Sequence, residues 1–222
     1  MLLLAVDTSG AQVSAALHDG TGLLARADVA DRRRHTEILA PAIDGVLTGV
    51  GRGIGEVTAV AVGVGPGPFT GLRVGLVTAD VLGHVLGVPV YGVGSLDALA
   101  LAAVRGGTLT RNEAFCVATD ARRREVYWAR YRGARRVQGP EVVAPAELPR
   151  DGLQVVGRGG LLYPDALGPA VGPPDVTAAD VAALAVAALA GDPEVERLLP
   201  PQPLYLRRPD AARPGARKRV LR

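Results

Sequence analysis

Between residues 57 and 88 the hydrophobic pattern changes period. Val57, Ala59, Val60, Ala61, Val62 and Val64 form a run of β-branched and small apolar residues, the signature of a short strand buried on both faces. Gly65-Pro66-Gly67-Pro68 interrupts it, and a helical pattern follows to about Leu86, with Thr70 the expected N-cap and Gly87 the expected stop. Inside that helix Gly71, Gly75, Ala79, Gly83 and Gly87 recur every fourth residue. They make a groove of small side chains that drifts about 40° per step. Each interior glycine costs roughly 1 kcal/mol relative to alanine, and another helix packed closely against the groove is expected to offset it. Leu72, Leu76, Val77, Val81, Leu82, Val85 and Leu86 spread around the circumference, which predicts cover on more than one side.

The preceding residues alternate instead. Leu2 to Asp7 reads as a first strand ending at the turn Thr8-Ser9-Gly10. Val13, Ala15 and Leu17 then alternate with Ser14, Ala16 and His18, Asp19-Gly20 is a hairpin turn, and Leu23 to Ala27 completes an antiparallel meander. His18, at the strand's end on the more polar face, is expected to be exposed. After the charged loop Asp28 to Arg34, the spacing of Ile38, Leu39, Ala42, Ile43, Val46 and Leu47 predicts a helix over His35 to Leu47, with Pro41 early enough to be tolerated. A strand over Val88 to Val93 and a helix from Ser95 to about Val104 follow the central unit. Three antiparallel strands and two parallel strand–helix units make a ribonuclease-H-like subdomain, which ends in the polar stretch Arg105 to Arg111.

The second half begins as a copy. Ala114 to Thr119 matches the first strand, Asp120 falls where Asp7 fell, and Glu125 to Arg132 reads as a second strand with Val126, Trp128 and Ala129 inward. Regularity is then lost: Val142-Val143 and Leu153 to Val156 suit short strands, Thr177 caps a helix over Ala178 to Ala190, and Pro200 to Pro203 introduces the arm Leu204-Tyr205-Leu206. The expected division is an N-terminal subdomain at 1–106, a degenerate C-terminal one at 107–207, and a basic tail at 208–222.

Composition narrows the class. The 222 residues are 48% hydrophobic but only 4% aromatic, so the core is built from Val, Leu and Ala. The lone Cys116 lies in an apolar run, a buried thiol suited to a reducing compartment. Six residues before Asp7 are too few for a secretory leader, and Val181 to Ala190 is about half a bilayer span, so a cytoplasmic, non-membrane protein is expected. Leu204 to Arg222 carries seven Arg or Lys and one acid, so the net charge of +3 belongs to this end, expected to be solvated and poorly ordered, with contact with RNA phosphates the sharper alternative. The Gly-Pro turn has the place of a phosphate-binding loop. Yet Pro66 and Pro68 have no N–H to donate and no Gly-Lys-Ser/Thr follows, so it is expected simply to join strand to helix.

A duplicated unit with an aspartate ending each first strand is the pattern of the actin, Hsp70 and sugar-kinase superfamily. LAVDTS at 4–9, HTEIL at 35–39, GPGPFTGLRVGL at 65–76, DARRREVYWARY at 120–131 and PLYLR at 203–207 resemble the TsaB family, also called YeaZ. The resemblance implies an accessory subunit, without catalysis or cofactor of its own, of the complex that makes N6-threonylcarbamoyladenosine beside the anticodon of tRNAs reading A-starting codons. Its implied partners are a catalytic paralogue of the TsaD type and a TsaE-type ATPase, with a homodimer when alone and tRNA contact through the basic tail.

Three sets of residues follow as candidates. The paralogue is expected to dock on Gly71, Gly75, Ala79 and Gly83 with Leu72 and Leu76, beside His35, Ile38 and Leu39 of the preceding helix. Asp7, Thr8 and Asp120 would be the relic of a nucleotide site, since Asp120 is followed by Ala121-Arg122-Arg123 without the glycine and hydroxyl of a phosphate clamp. Asp80 and His84, one helical turn apart, are read as exposed rim residues. Two enzyme classes compete, a sugar-kinase-like phosphotransferase and a metallopeptidase. The first has no visible general base. For the second, the His-x-x-x-His of the TsaD type is replaced by Gly94-Ser95-Leu96-Asp97-Ala98-Leu99, and His18, His35 and His84 lie on three separate elements.

Overall fold

The computed structural model describes residues 1–30 and 35–207, so the tail 208–222 and the expectation attached to it lie outside the described residues. The first half runs β1 (Leu3–Asp7), β2 (Val13–His18), β3 (Leu23–Val29), α1 (His35–Thr48), β4 (Ala59–Gly65), α2 (Phe69–Leu86), β5 (Val90–Gly94) and α3 (Ser95–Arg105). The second runs β6 (Ala114–Asp120), β7 (Val126–Arg132), β8 (Arg135–Val143), β9 (Val155–Val156), α4 (Arg158–Leu162), α5 (Pro164–Leu167), β10 (Ala170–Val171) and α6 (Ala178–Leu189).

The first sheet has the order β3-β2-β1-β4-β5, with β1, β2 and β3 antiparallel and β4 and β5 parallel to β1. In the second, the order β10-β9-β6-β7-β8 repeats that plan strand for strand. The duplication thus goes further than the sequence shows. Of β8 the sequence shows only the end, Val142-Val143, because RRVQGPEVV is a largely exposed edge strand with no apolar alternation; β9 falls inside the expected Leu153 to Val156, and β10, only two residues long, is missed.

Successive residues of β1 feed opposite cores: Leu2, Leu4 and Val6 meet Leu39, Ile43, Leu72 and Ala79, while Leu3 and Ala5 meet Val181, Ala182 and Leu184. The first sheet is therefore covered by α1 and α2 on one face and by α3 and α6 on the other. That is why β1 and β4 at its centre are apolar on both faces up to their ends. Helix α6 comes from the second half of the chain. Its N-cap Thr177 makes the capping box with Asp180, and Ser14 of β2 accepts the Ala178 N–H at 2.7 Å. The C-terminal segment also returns to the first sheet, pairing Leu199 with Gly92 and donating the Leu204 N–H to the Val64 carbonyl at 2.9 Å.

Helix α2 corrects three expectations. It starts one residue before Thr70, with Pro68 as N-cap and no side-chain cap. Its small-residue groove is not an open docking surface: Gly71, Gly75, Ala79 and Gly83, with Leu72 and Leu76, are all buried against the protein's own sheet. A Cβ on Gly75 would stand 2.6 Å from the Thr8 hydroxyl, and one on Gly83 would stand 2.2 Å from a methyl of Val90. Strand contact is thus the neighbour that offsets the glycines. On the opposite face Val77, Val81 and Val85 are 60%, 53% and 73% exposed. By length and composition α2 could cross a bilayer, at mean hydropathy 1.3, but a third of it is committed to this sheet.

His18 is also corrected. It is buried, 6% exposed, and its Nδ1 accepts the Gly20 N–H at 2.9 Å, while desolvation holds its pKa below the usual imidazole range. Its site is the β2 edge of the hairpin turn, where the ring folds back onto the turn's own backbone. Cys116 is buried, as its apolar run implies.

Candidate functional site

The two strand-end aspartates have opposite surroundings. Asp7 leaves β1 as the chain turns beneath the Gly65–Pro68 loop and the start of α2. Its carboxylate accepts the Ser9 N–H at 3.0 Å and the Ser9 hydroxyl at 2.9 and 3.0 Å. It is wholly buried, and that desolvation raises its pKa to about 7 against the pull of those bonds. Thr8 points into α2, where its hydroxyl donates to the Gly71 carbonyl at 2.7 Å and accepts the Gly75 N–H at 3.0 Å. One hydroxyl thus serves both ends of a single step of the helical ladder.

The knot continues through Ser9. Its hydroxyl lies 2.7 Å from that of Ser95, which accepts the Gly65 N–H at 3.1 Å. Gly67 closes so tightly on this turn that a Cβ would stand 2.3 Å from the Ser9 carbonyl. The Gly-Pro loop is thereby occupied by the protein's own polar groups. Ser9 and Ser95 are site residues the sequence reading missed. The signal available was a hydroxyl at the end of each of two apolar strands, β1 and β5.

Asp120 is only partly buried. It accepts the Arg122 N–H at 2.8 Å and pairs with the Arg122 guanidinium at 3.3 Å. Arg122, Arg123 and Arg124 follow with φ of 63°, 54° and 61°, three consecutive residues in a left-handed conformation that non-glycine residues seldom adopt. The cleft between the two strand ends is lined by Ser9, Gly10, Ser95, Asp120, Arg122 and the ion-paired Arg158 and Asp175, and encloses only about 40 Å³. Asp7 and Thr8 do not reach it. Of the three expected relic residues the structure brings only Asp120 to the cleft, and the space there suits a few waters rather than a nucleotide.

Of the expected docking residues on α1, Leu39 is buried and Ile38 half-buried, while the side chain of His35 lies outside the described residues. Asp80 and His84 are exposed as expected. Between α1 and α2 runs an open groove of about 430 Å³ lined by Leu39, Ala40, Phe69, Arg73, Val74 and Val77. No group of three or more His, Cys, Asp or Glu placed to hold a metal occurs among the described residues.

Two five-stranded sheets of one ribonuclease-H-like plan, with the first strand's acid buried and the second's at a narrow cleft, define a protein of the actin, Hsp70 and sugar-kinase fold. The comparisons with known proteins place it more finely. The family profile of TsaD, tRNA N6-adenosine threonylcarbamoyltransferase, matches residues 28–155. The TsaB protein of Escherichia coli, named for tRNA threonylcarbamoyladenosine biosynthesis, is 35% identical over 177 residues, 74% of each chain. An uncharacterized protein of Mycobacterium tuberculosis is 43% identical, covering 94% of this chain and 93% of its own; one of Mycobacterium leprae is 40% identical, and the chain spans only 56% of its length. YeaZ of Pseudomonas aeruginosa superposes with a TM-score of 0.76 at 29% identity, over 92% of this chain and 99% of that one. The chain belongs to the TsaB (YeaZ) family.

Proposed function

We propose that this protein is the accessory subunit that pairs with a TsaD-type paralogue in making threonylcarbamoyladenosine in tRNA. The observation that carries the reading is the match to TsaB of E. coli across three-quarters of both chains. The chemistry of the strand ends supports a role without catalysis. Asp7, which on a kinase-like plan would hold a metal-bound phosphate, is desolvated, half-protonated at neutral pH and sealed behind Ser9. This reading places the protein in the cytoplasm, beside its tRNA and a TsaE-type ATPase.

The docking face moves by half a turn of α2. The small residues hold the helix to its own sheet, so the surface offered to a paralogue is the exposed stripe Val77, Val81 and Val85 with the groove between α1 and α2. Three bare valines at helical spacing on one face are what an unpartnered helix interface looks like. A paralogue built on the same unit has the matching helix pair, and a second copy of this chain would use the same surface when the paralogue is missing. Val81→Arg tests this by putting a charge where association must remove water. Expected is loss of binding to the TsaD-type protein of the same cell by a hundredfold or more, about 3 kcal/mol, with the melting temperature unchanged and threonylcarbamoyladenosine lost from tRNA in a strain carrying only the variant. Unchanged binding would remove the stripe from the interface; pairing with no effect of deletion on the modification would remove the function.

A further inference from the structure

Three segments distant in sequence meet at one end of α2, away from the valine stripe. They are Gly67–Phe69, the hairpin tip Ala121–Arg123, and the arm Tyr205–Arg207. Together with Tyr127 they line an open groove of about 300 Å³. Phe69 and Tyr205 stack with ring centres 5.2 Å apart and planes 27° from parallel, yet remain 38% and 37% exposed. The Arg73 guanidinium lies 3.7 Å from the centre of the Phe69 ring and its Nε donates to the Tyr205 hydroxyl at 3.1 Å. Arg207 pairs with Glu125 and donates to the Ala121 carbonyl at 3.3 Å, which ties the arm to the hairpin.

Two large aromatic rings left half in water, locked by a guanidinium, form a rigid stacking platform rather than a core. Around it Arg73, Arg122, Arg123, Arg124 and Arg207 outnumber the acids Asp120 and Glu125. The left-handed turn at 122–124, closed by the Ala121 N–H to the Glu125 carbonyl and the Glu125 N–H to the Arg122 carbonyl, each at 3.0 Å, presents all three arginines on the surface. The chain leaves the groove at Arg207, and the fifteen residues beyond it carry six more Arg or Lys and one acid. A cationic rim tracks a sugar-phosphate backbone while an exposed aromatic stack takes an unpaired base. An acidic protein surface would match the charge but has no use for the platform.

We propose that this groove is a contact site for single-stranded or loop RNA, the Phe69–Tyr205 stack taking a base and Arg122, Arg123 and Arg207 taking phosphates. The proposal rests on the tRNA-linked reading of the protein; Phe69 and Arg73 also line the groove between α1 and α2, so the variants that separate the two sites are placed at Tyr205, Arg122 and Arg123, which lie outside that groove. The test measures binding of a labelled tRNA transcript and of a 15-nucleotide oligouridylate to the full chain, alone and with its TsaD-type partner, at several salt concentrations. Tyr205→Ala is expected to weaken oligouridylate binding roughly five- to a hundredfold, the range for removing one stacking surface. Arg122→Glu with Arg123→Glu is expected to weaken both ligands at least tenfold and to flatten the salt dependence by about two phosphate contacts. Since these two side chains lie outside the core, the doubly substituted chain should melt like the parent. Arg52→Glu, at the far end of the first sheet, should leave binding within twofold.

Equal loss from Arg52→Glu would reduce the effect to general charge and overturn the site. So would RNA binding that ignores the groove variants, or variants that release the TsaD-type protein while RNA affinity holds, which would make the groove a protein contact. If the full complex binds RNA through the groove but deletion leaves threonylcarbamoyladenosine intact, the site stands and the functional reading falls.

Discussion

Asp7 and Asp120 hold the same place in two copies of one plan and have come to opposite ends. The first closes β1 beneath an eighteen-residue helix, and the second closes β6 beneath α4, which has five residues. Where a long helix lies down on the strand end, its N-terminal loop folds over the carboxylate and expels water. Where none does, the carboxylate stays half-open and turns to the nearest arginine. The difference is one of cover, and it decides whether an acid in this position becomes part of the core or part of the surface. On the covered side, every polar group had to find a protein partner, which is the work of Thr8, Ser9 and Ser95.

The most damaging way to break this contrast is Gly75→Val. Its side chain would meet the Thr8 hydroxyl and the Val62 methyl, and the isolated chain should lose about 3 kcal/mol, near 6–12 °C in melting temperature. A variant within two degrees of the parent would mean that α2 is not seated as described. Next comes pH. Asp7 is raised to about 7 and Asp97, desolvated beneath β7 despite Arg136 and the Tyr131 hydroxyl, to about 6. A raised carboxylate keeps its proton in the native state after the unfolded chain has released it near pH 4. Stability contributed by the neutral form is therefore present at low pH and is lost as pH rises through the native pKa. Between pH 5 and 7 Asp7 alone should remove about 2–3 kcal/mol. Denaturant titrations of the parent and of Asp7→Asn across that range should show the slope in the first and a flatter line in the second; parallel lines would show that Asp7 is solvated.

Ala79→Leu sharpens the same point for the helix. Ala79 is fully buried, so overpacking should cost the isolated chain about 1–3 kcal/mol before any partner is added. An unchanged melting temperature would return the small-residue face to the interface. The smallest effect belongs to the open copy. Asp120→Ala removes one backbone hydrogen bond and one exposed ion pair, and stability should fall by less than about 1 kcal/mol. A larger loss would show that the cleft around it is more tightly closed than its opening suggests.

Much of this fold was legible because its central strands β1 and β4 are apolar on both faces and its turns carry Gly, Pro and Asp where the chain reverses. The meander, α1, the central unit and the Thr177 cap all come from local rules that act within a few residues. What failed was the environment of single side chains. His18 looked polar by its neighbours and is buried by its own turn. The polar edge strand β8 has no periodic signal to read.

The amino-acid pattern by itself determined that α2 carries small residues at every fourth position and larger apolar residues around the rest of its circumference. It could not determine which face turns inward, because either would suit a close-packed neighbour and the choice depends on what β1, β4 and β5 present after they pair. The tertiary structure decided it: the Thr8 hydroxyl and the Val90 methyl stand so near the helix axis that only Gly75 and Gly83 fit beneath them. In the same way the sequence holds Phe69, the arginine hairpin and Tyr205 more than fifty residues apart, and chain connectivity says nothing of their meeting. Only the return of the C-terminal arm to Val64, through a backbone bond that any residue could make, brings them into one groove.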